Sequence, residues 1–298
     1  MRAWLVINPQ LSQAFTDHVA LFIERSKRLG IELKVLPSYT LFTAIEDGQI
    51  YIDGLEEKNR PTFVLFWDKN IYLAKALEQA GFRVYNSSHA IATCDDKVLT
   101  HLALAKAQLP VPKTLIGPKT FMKSGIVDLQ EYQRVGEKLG YPLVMKNAFG
   151  SYGRYVYLIH TFAELQQRVQ EAIGIPVLFQ EYIASSHGTD VRVEVIGGRA
   201  VAAMRRISNG DFRSNLAQGG TAYPHVLNTE ESELAVSAVR AVGATFAGVD
   251  LLTGFDGKPL VCEINSNAHI INLSRVANTD VALYLLDYLL QVAKEVTP

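Results

Sequence analysis

Two short apolar runs near the carboxyl end of the chain, Ala247–Leu252 and Leu260–Asn265, flank Asp256-Gly257 and carry Asp250, Glu263 and Asn265 between them. Asp-Gly is a preferred two-residue hairpin turn. With Asp256 and Gly257 as the loop, 255 faces 258, 254 faces 259 and, continuing outward, Asp250 faces Glu263. Side chains alternate along a strand, so Asn265 shares the face of Glu263. Carboxylates directly opposite one another repel unless something neutralises them. A hard divalent cation would, and magnesium takes such an all-oxygen set while leaving positions for phosphate oxygens. An ordinary exposed strand face accounts for the same pattern without a metal.

Lys146 ends an apolar run and is followed by Asn-Ala-Phe-Gly150-Ser151-Tyr152-Gly153-Arg154. A lysine offers phosphate a compact charge, and a glycine loop can close over phosphates with its amides exposed. No GxxxxGK[ST] pattern is present, so this is not a Walker loop, and a plain glycine hairpin beside a strand-end lysine is the competing reading. In Asp190-Val-Arg192-Val-Glu194-Val, period two puts Asp190, Arg192 and Glu194 on one strand face. Arg199, Arg205, Arg206 and Arg213 follow, making five arginines and no lysine in residues 190–215. That choice favours bidentate recognition of carboxylate or phosphate. His187, His225 and His269 are scattered without ligand spacing and receive no role. Nothing resembles GxSxG or another nucleophile motif.

The remaining composition narrows the class. A chain of 298 residues that is 48% hydrophobic and 20% charged can bury more than one core. With 29 Lys+Arg against 30 Asp+Glu there is no basic footprint for nucleic acid. Cys94 and Cys262 lie far apart in sequence and outside any zinc or disulfide spacing, which fits a reducing compartment. The amino terminus lacks a signal-peptide apolar region, and Val281–Ala293, interrupted by Asp287, falls short of the roughly 20 residues of a membrane span. The expectation is a soluble, cytoplasmic protein without a membrane partner.

The elements that must position these residues fall into three stretches. Residues 1–91 alternate strand and helix: Trp4–Asn8, the amphipathic helix Ala14–Gly30, Ile31–Leu36, a hairpin with Gln49–Ile52 as one arm, Thr62–Trp67, the helix Ile71–Ala80 and Arg83–Asn86. This is Rossmann-like, but no GxGxxG follows its first strand, so no dinucleotide is expected. Thr93-x-x-Asp96 reads as the start of a helix Lys97–Gln108 whose apolar positions are Val98, Leu99, Leu102 and Ala105. Leu109-Pro-Val-Pro112 then forces an extended linker. The order α-β-β-α-β up to Val177–Glu181 is an α+β layer, and the last third adds the strands Asp190–Ile196 and Ala200–Arg206, the helix Glu230–Val242, the hairpin above and the helix Val281–Lys294.

Together these residues resemble the ATP-grasp superfamily, and specifically the RimK-type amino-acid (glutamate) ligases. The likeness runs from about Ala92 to Leu290 through Cys94-Asp-Asp96-Lys97, Pro110-Val-Pro112, Val144-Met-Lys146, Gln180-Glu181-Tyr182-Ile183, Asp190-Val-Arg192, Arg205-Arg206, Gly210-Asp-Phe-Arg213-Ser214-Asn215, Gly219-Gly220, Asp250 and Glu263-Ile-Asn265. The resemblance implies an ATP-grasp fold, mixed α/β and α+β, preceded by a Rossmann-like α/β domain. The divisions expected are a pre-ATP-grasp domain at 1–91, a central subdomain at 92–183 and a carboxyl-terminal subdomain at 184–298. It implies an ATP-dependent ligase joining an amino acid to an acidic acceptor through an acyl phosphate. A D-alanine-type dipeptide ligase and a non-catalytic ATP-binding module are the alternatives.

The implied site follows residue by residue. Lys97, Lys146 and the loop Gly150, Ser151, Tyr152 and Gly153 would hold phosphates, and Gln180, Glu181, Tyr182 and Ile183 would form the adenine hinge. Asp190 would meet the ribose. Arg213, Ser214 and Asn215 would lie along the triphosphate, with Arg205 and Arg213 as catalytic cations. Asp250, Glu263 and Asn265 would coordinate magnesium, with manganese able to substitute, and Arg192, Arg206, Ser266 and Asn267 would face substrate. Relatives commonly continue Asn-x-x-Pro-Gly after the last metal ligand, whereas here Ser266-Asn-Ala-His269 follows. That loop lines the acceptor side, so the departure bears on the acceptor rather than on ATP. A homo-oligomer is compatible with the resemblance.

Overall fold

The computed structural model describes residues 1–8, 13–55, 60–121, 128–151, 153–216 and 219–295. Its first stretch runs β1 (Arg2–Ile7), α1 (Gln13–Arg28), β2 (Glu32–Pro37), a hairpin of β3 (Phe42–Glu46) and β4 (Gln49–Asp53), then β5 (Phe63–Trp67), α2 (Ile71–Gln79) and β6 (Val84–Tyr85). Strands pair in parallel in the order β2-β1-β5-β6, so connections leave β1 in opposite directions and a switch point lies between β1 and β5. A parallel sheet is covered on both faces, and alternation along β1 and β5 sorts the side chains accordingly. Trp4, Val6, Val64 and Phe66 enter a core with α2, while Leu5, Ile7, Leu65 and Trp67 enter another with α1 and the chain's last helices.

Next come α3 (Ser88–Asp95), α4 (Lys97–Lys106), β7 (Thr114–Ile116), α5 (Gln133–Leu139), β8 (Leu143–Asn147), β9 (Val156–Ile159), α6 (Phe162–Glu171) and β10 (Val177–Glu181). An antiparallel sheet β7-β10-β8-β9 results, with Leu143, Met145 and Phe179 packed on Leu165 and Val169 of α6. The third stretch is β11 (Thr189–Ile196), β12 (Arg199–Ile207), β13 (Thr221–Pro224), α7 (Thr229–Ala241), β14 (Phe246–Thr253), β15 (Pro259–Asn265), α8 (Ile270–Val276) and α9 (Val281–Glu295). Its sheet, β13-β12-β11-β14-β15, is antiparallel. Val191, Val193, Val249, Leu251, Val261 and Ile264 face α7 in one core, leaving the charged residues of the same strands on the other face. Among the described residues no helix is long and apolar enough to cross a membrane.

Several expectations change. The helix α4 is capped by Asp96, which accepts from the backbone N–H of Val98 and Leu99, and Thr93 lies inside the separate helix α3. Its apolar positions Leu99 and Leu102 are exposed, and it buries Lys97, Thr100, His101 and Leu104. The inward face is therefore chosen by the polar site it serves rather than by hydropathy. Cys94 and Leu104 join the core of the third sheet, and α9 packs on α1, so two cores cross the boundaries drawn from sequence. The hairpin also closes differently. Thr253 pairs with Pro259, one position off the expected register, and a bulge at Cys262 then restores Asp250 opposite Glu263.

Asn86 fastens the first sheet to the third. Fully buried, it donates from Nδ2 to the carbonyls of Phe246 at 2.8 Å and Ser266 at 3.0 Å, and its Oδ1 accepts from the N–H of Thr245 and Phe246. Asn86→Ala strands those buried groups, so an expected loss of about 3 kcal/mol or more should appear in urea unfolding. A loss below about 1 kcal/mol would show that water replaces the amide.

Candidate functional site

A cleft opens between the second and third sheets. From the second sheet and its loops it is lined by Lys146, Gly150, Gly153, Gln180, Glu181, Tyr182 and Ile183. Lys97 of α4 enters from the side, and Asp190, Arg206, Arg213, Ser214, Asn215, Asp250 and Glu263 come from the third sheet. Residues separated by more than 160 positions thus share one lining. Of the other expected residues, Ser151, Arg192, Asn265, Ser266 and Asn267 stand outside this lining, and Tyr152 lies outside the described residues.

The two lysines are set by different means. Lys146 sits on β8, paired between Leu178 and Val156, and its Nζ is 3.6 Å from Cys262 Sγ, the bulge residue of β15. Lys97 Nζ donates to the Gly150 carbonyl at 2.8 Å and lies 3.5 Å from Glu263 Oε1. Behind them, on the buried face of α4, His101 contacts Gln180 Nε2, which also donates to Thr114 Oγ1 at 2.9 Å. Burial first, then the Lys146 and Lys97 cations, push His101 down to about 3. It is therefore a neutral acceptor that fixes the Gln180 amide without adding charge. Sequence reading passed over His101; the spacing 97, 100, 101, 104 could have revealed it.

The floor is a buried network of four charges. Arg192 grips Asp250 through Nε on Oδ1 and Nη2 on Oδ2, the latter at 2.8 Å. Arg206 takes Asp190 the same way, Nε at 2.7 Å, and its Nη2 also lies 2.9 Å from Asp250 Oδ2. Burial works to raise the Asp250 carboxyl, but Arg192 and Arg206 outweigh it and hold it near 2. Asp190, expected at the ribose, has both oxygens committed to Arg206. Arg192, expected at substrate, is committed to Asp250. Arg205, expected as a catalytic cation, is exposed on the opposite face of β12, since successive strand residues point opposite ways. Of this adjacent pair, Arg206 is the one that reaches the cleft.

The candidate metal ligands meet a related test. Among the described residues no three His, Cys, Asp or Glu side chains converge, so the candidate set is two carboxylates completed by the Asn265 amide. Its all-oxygen chemistry fits a hard divalent cation. Asp250 is already neutralised by guanidinium groups, which leaves Glu263, with Lys97 at 3.5 Å, as the less committed carboxylate.

Arg213 closes the cleft mouth. It donates from Nη1 to the Gly153 carbonyl at 2.6 Å and is held by Asp211 through Nε at 3.0 Å and Nη2 at 2.7 Å. On the hinge, Glu181 Oε1 accepts from the Lys113 N–H at 2.6 Å, and the Tyr182 hydroxyl meets His187 Nδ1. Ser266 is buried, with its carbonyl taken by Asn86, so it is a fixed corner of the loop rather than an open contact.

One row deeper, Glu194 lies opposite Gly248, which faces Asn265. It is buried, and its Oε2 has no partner among the described residues. Burial raises its carboxyl to about 8, with Arg192 opposing and Asp250 adding. The folded state therefore holds a proton that the unfolded chain releases above the ordinary 4.5, so this group's contribution to stability falls as pH rises from about 4.5 to about 8. Glu194→Gln removes that loss. Its stability relative to the parent protein, followed by urea unfolding at several pH values, is expected to grow across that window, and parallel curves would refute the buried protonated acid.

Comparison with known proteins identifies the family. Residues 94–289 match the family model of the RimK-like ATP-grasp domain. An uncharacterized protein of Mycoplasma genitalium, MG012, is 32% identical over 95% of this chain and 97% of its own length. Beta-citrylglutamate synthase B of Danio rerio is 31% identical over 98% of this chain and 74% of its own. The structure of the ATP-grasp ligase PsnB complexed with minimal precursor superposes with a TM-score of 0.73 at 24% identity, covering 97% of this chain and 98% of that one, a likeness of fold. The chain belongs to the RimK-like ATP-grasp family of ATP-dependent ligases.

Proposed function

We propose that the protein is a magnesium-dependent carboxylate-amine ligase that forms an amide through an acyl phosphate, adding an amino acid such as glutamate to an acidic acceptor. The observation that carries this reading is the convergence of Lys97, Lys146, Arg206 and Arg213 with Asp250 and Glu263 on one cleft. Four cations suit a triphosphate, and two carboxylates suit the cation that accompanies it. In the proposed sequence an oxygen of the substrate carboxylate attacks the γ-phosphorus of ATP and ADP leaves. The amine nitrogen then attacks the acyl carbon, and inorganic phosphate leaves. The relative named beta-citrylglutamate synthase B supports glutamate as the amine.

Catalysis of this kind rests on positioning and charge stabilisation, and no protein nucleophile is needed. The one cysteine among the described lining residues is Cys262, whose thiol burial raises, so it stays protonated beside Lys146. In this reading Lys97 and Lys146 fix the phosphates, and Glu181 to Ile183 take the adenine. Arg213 draws the Gly150 to Gly153 loop over the triphosphate. Arg206, held by Asp190 and Asp250, presents its charge where the phosphoryl group transfers. Asp250, Glu263 and Asn265 would hold magnesium, with manganese as a substitute. Bound there, it would supply charge neutralisation to the phosphates.

The test is ADP release with ATP and magnesium across a panel of amino acids and acidic acceptors, with mass spectrometry of the products. Release that needs both an amine and a carboxylate, with a matching mass gain, is expected. Glu263→Gln should lower turnover about a hundredfold or more with the circular dichroism unchanged. Unaltered turnover would overturn the metal assignment. Asp250→Ala is a poorer probe, since it leaves Arg192 and Arg206 buried beside an empty position.

A further inference from the structure

Lys69 stands outside every motif and outside the cleft lining, yet it touches the phosphate loop. It follows β5 at the carboxyl edge of the first sheet, beside the switch point, where Asp68 Oδ1 accepts from the Lys69 N–H at 2.6 Å and from Asn8 Nδ2 at 3.4 Å. From that anchored backbone the side chain crosses to the second sheet. Lys69 Nζ donates to Ser151 Oγ at 3.1 Å and pairs with Asp95, the last residue of α3.

Ser151 belongs to a loop that regular structure does not hold. Gly150 and Gly153 have φ of 139° and 68°, and the residues between β8 and β9 that are described pair with no neighbouring strand at 150–153. Three cationic side chains fasten that loop instead, each from a different layer. Lys97 of α4 takes the Gly150 carbonyl, Arg213 beyond β12 takes the Gly153 carbonyl, and Lys69 of the first sheet takes the Ser151 hydroxyl. A partly exposed ion pair with Asp95 alone would be worth little. The donation to Ser151 is what reaches the nucleotide side.

We propose that Lys69 is a positioning residue for ATP: by holding Ser151 from the edge of the first sheet, it fixes the glycine loop over the phosphates and ties that placement to the amino-terminal layer. This rests on the nucleotide reading of the cleft. Lysine carries three donor hydrogens, so Asp95 and Ser151 are served at once. Arginine retains the charge and the reach. Alanine loses both.

The experiment titrates the full chain with AMPPNP and magnesium by calorimetry, using Lys69→Ala, Lys69→Arg, Ser151→Ala and the double variant Lys69→Ala with Ser151→Ala. Lys69→Ala and Ser151→Ala should each weaken binding about five- to tenfold, and the double variant no further than the worse single, as expected for two ends of one contact. Lys69→Arg should bind within about twofold of the parent protein. Trypsin provides a second readout, because Arg154 is exposed at the far end of the loop. Cleavage after Arg154 should quicken severalfold in Lys69→Ala while the melting temperature stays within a few degrees. Lys69→Ala binding AMPPNP as tightly as the parent, or effects that add in the double variant, would overturn the proposal. A parent protein that binds no AMPPNP would instead remove the nucleotide reading and this one with it.

Discussion

The buried network of Asp190, Arg192, Arg206 and Asp250 is the constraint from which the cleft is built. Four ionised groups leave water together, at a desolvation penalty of several kcal/mol each, and only close, bidentate pairing offsets it. All four side chains are nearly buried, and each carboxylate meets a guanidinium through two oxygens. The pairing is possible because β12, β11 and β14 are adjacent and in a register that sets Arg206 opposite Asp190 and Arg192 opposite Asp250. A one-residue slip of any one of these strands would send its charged residues to the apolar face, so the ion pairs and the valine core behind them enforce the same register.

From that register the rest of the site follows. Asp250 fixes the height at which Glu263 must stand, and the bulge at Cys262 lets β15 reach it although the turn closes one position differently. The bulge also places Cys262 and Glu263, neighbours in sequence, on the cleft side together. Lys146 then packs on the first and Lys97 lies near the second. The lysine side of the cleft is thus an extension of the charge network, met by a second sheet through side chains of opposite sign.

How far this was legible in the sequence depended on whether a local rule decided the question. Alternation in Asp190-Val-Arg192-Val-Glu194 gave the polar face correctly, because both strand neighbours lie in the same sheet. The facing of Asp250 and Glu263 was reached with the wrong turn, and a bulge that no spacing announces compensated for it. Arg205 and Arg206 could not be told apart, since the phase of β12 depends on a register shift at Glu194 and Val195. For α4, Leu99 and Leu102 marked the wrong face, because a helix beside a charged cleft turns its lysine and histidine inward and Asp96 supplies the cap. Lys69 gave no signal at all: of its partners, Ser151 is 82 residues away in the loop between β8 and β9 and Asp95 is 26 away at the end of α3.

The loop after Asn265 departs from the Asn-x-x-Pro-Gly continuation that the resemblance implies. Lacking Pro-Gly, it is shaped by contacts from the amino-terminal layer: Asn86 takes the Ser266 carbonyl, and His18 Nε2 accepts from the Ile270 N–H at 3.1 Å. Ala268 is buried above Gly248, where a Cβ would come within 2.6 Å of it, so the glycine makes room for the loop. The family match covers residues 94–289, so Asn86 and His18, which hold this loop, lie before it, as does Lys69 at the glycine loop. The loop from Ser266 to Ile270 is therefore fixed from the first sheet and α1 through Asn86 and His18, while the charge network beneath it stands on the pairing of β12, β11 and β14 within the third sheet.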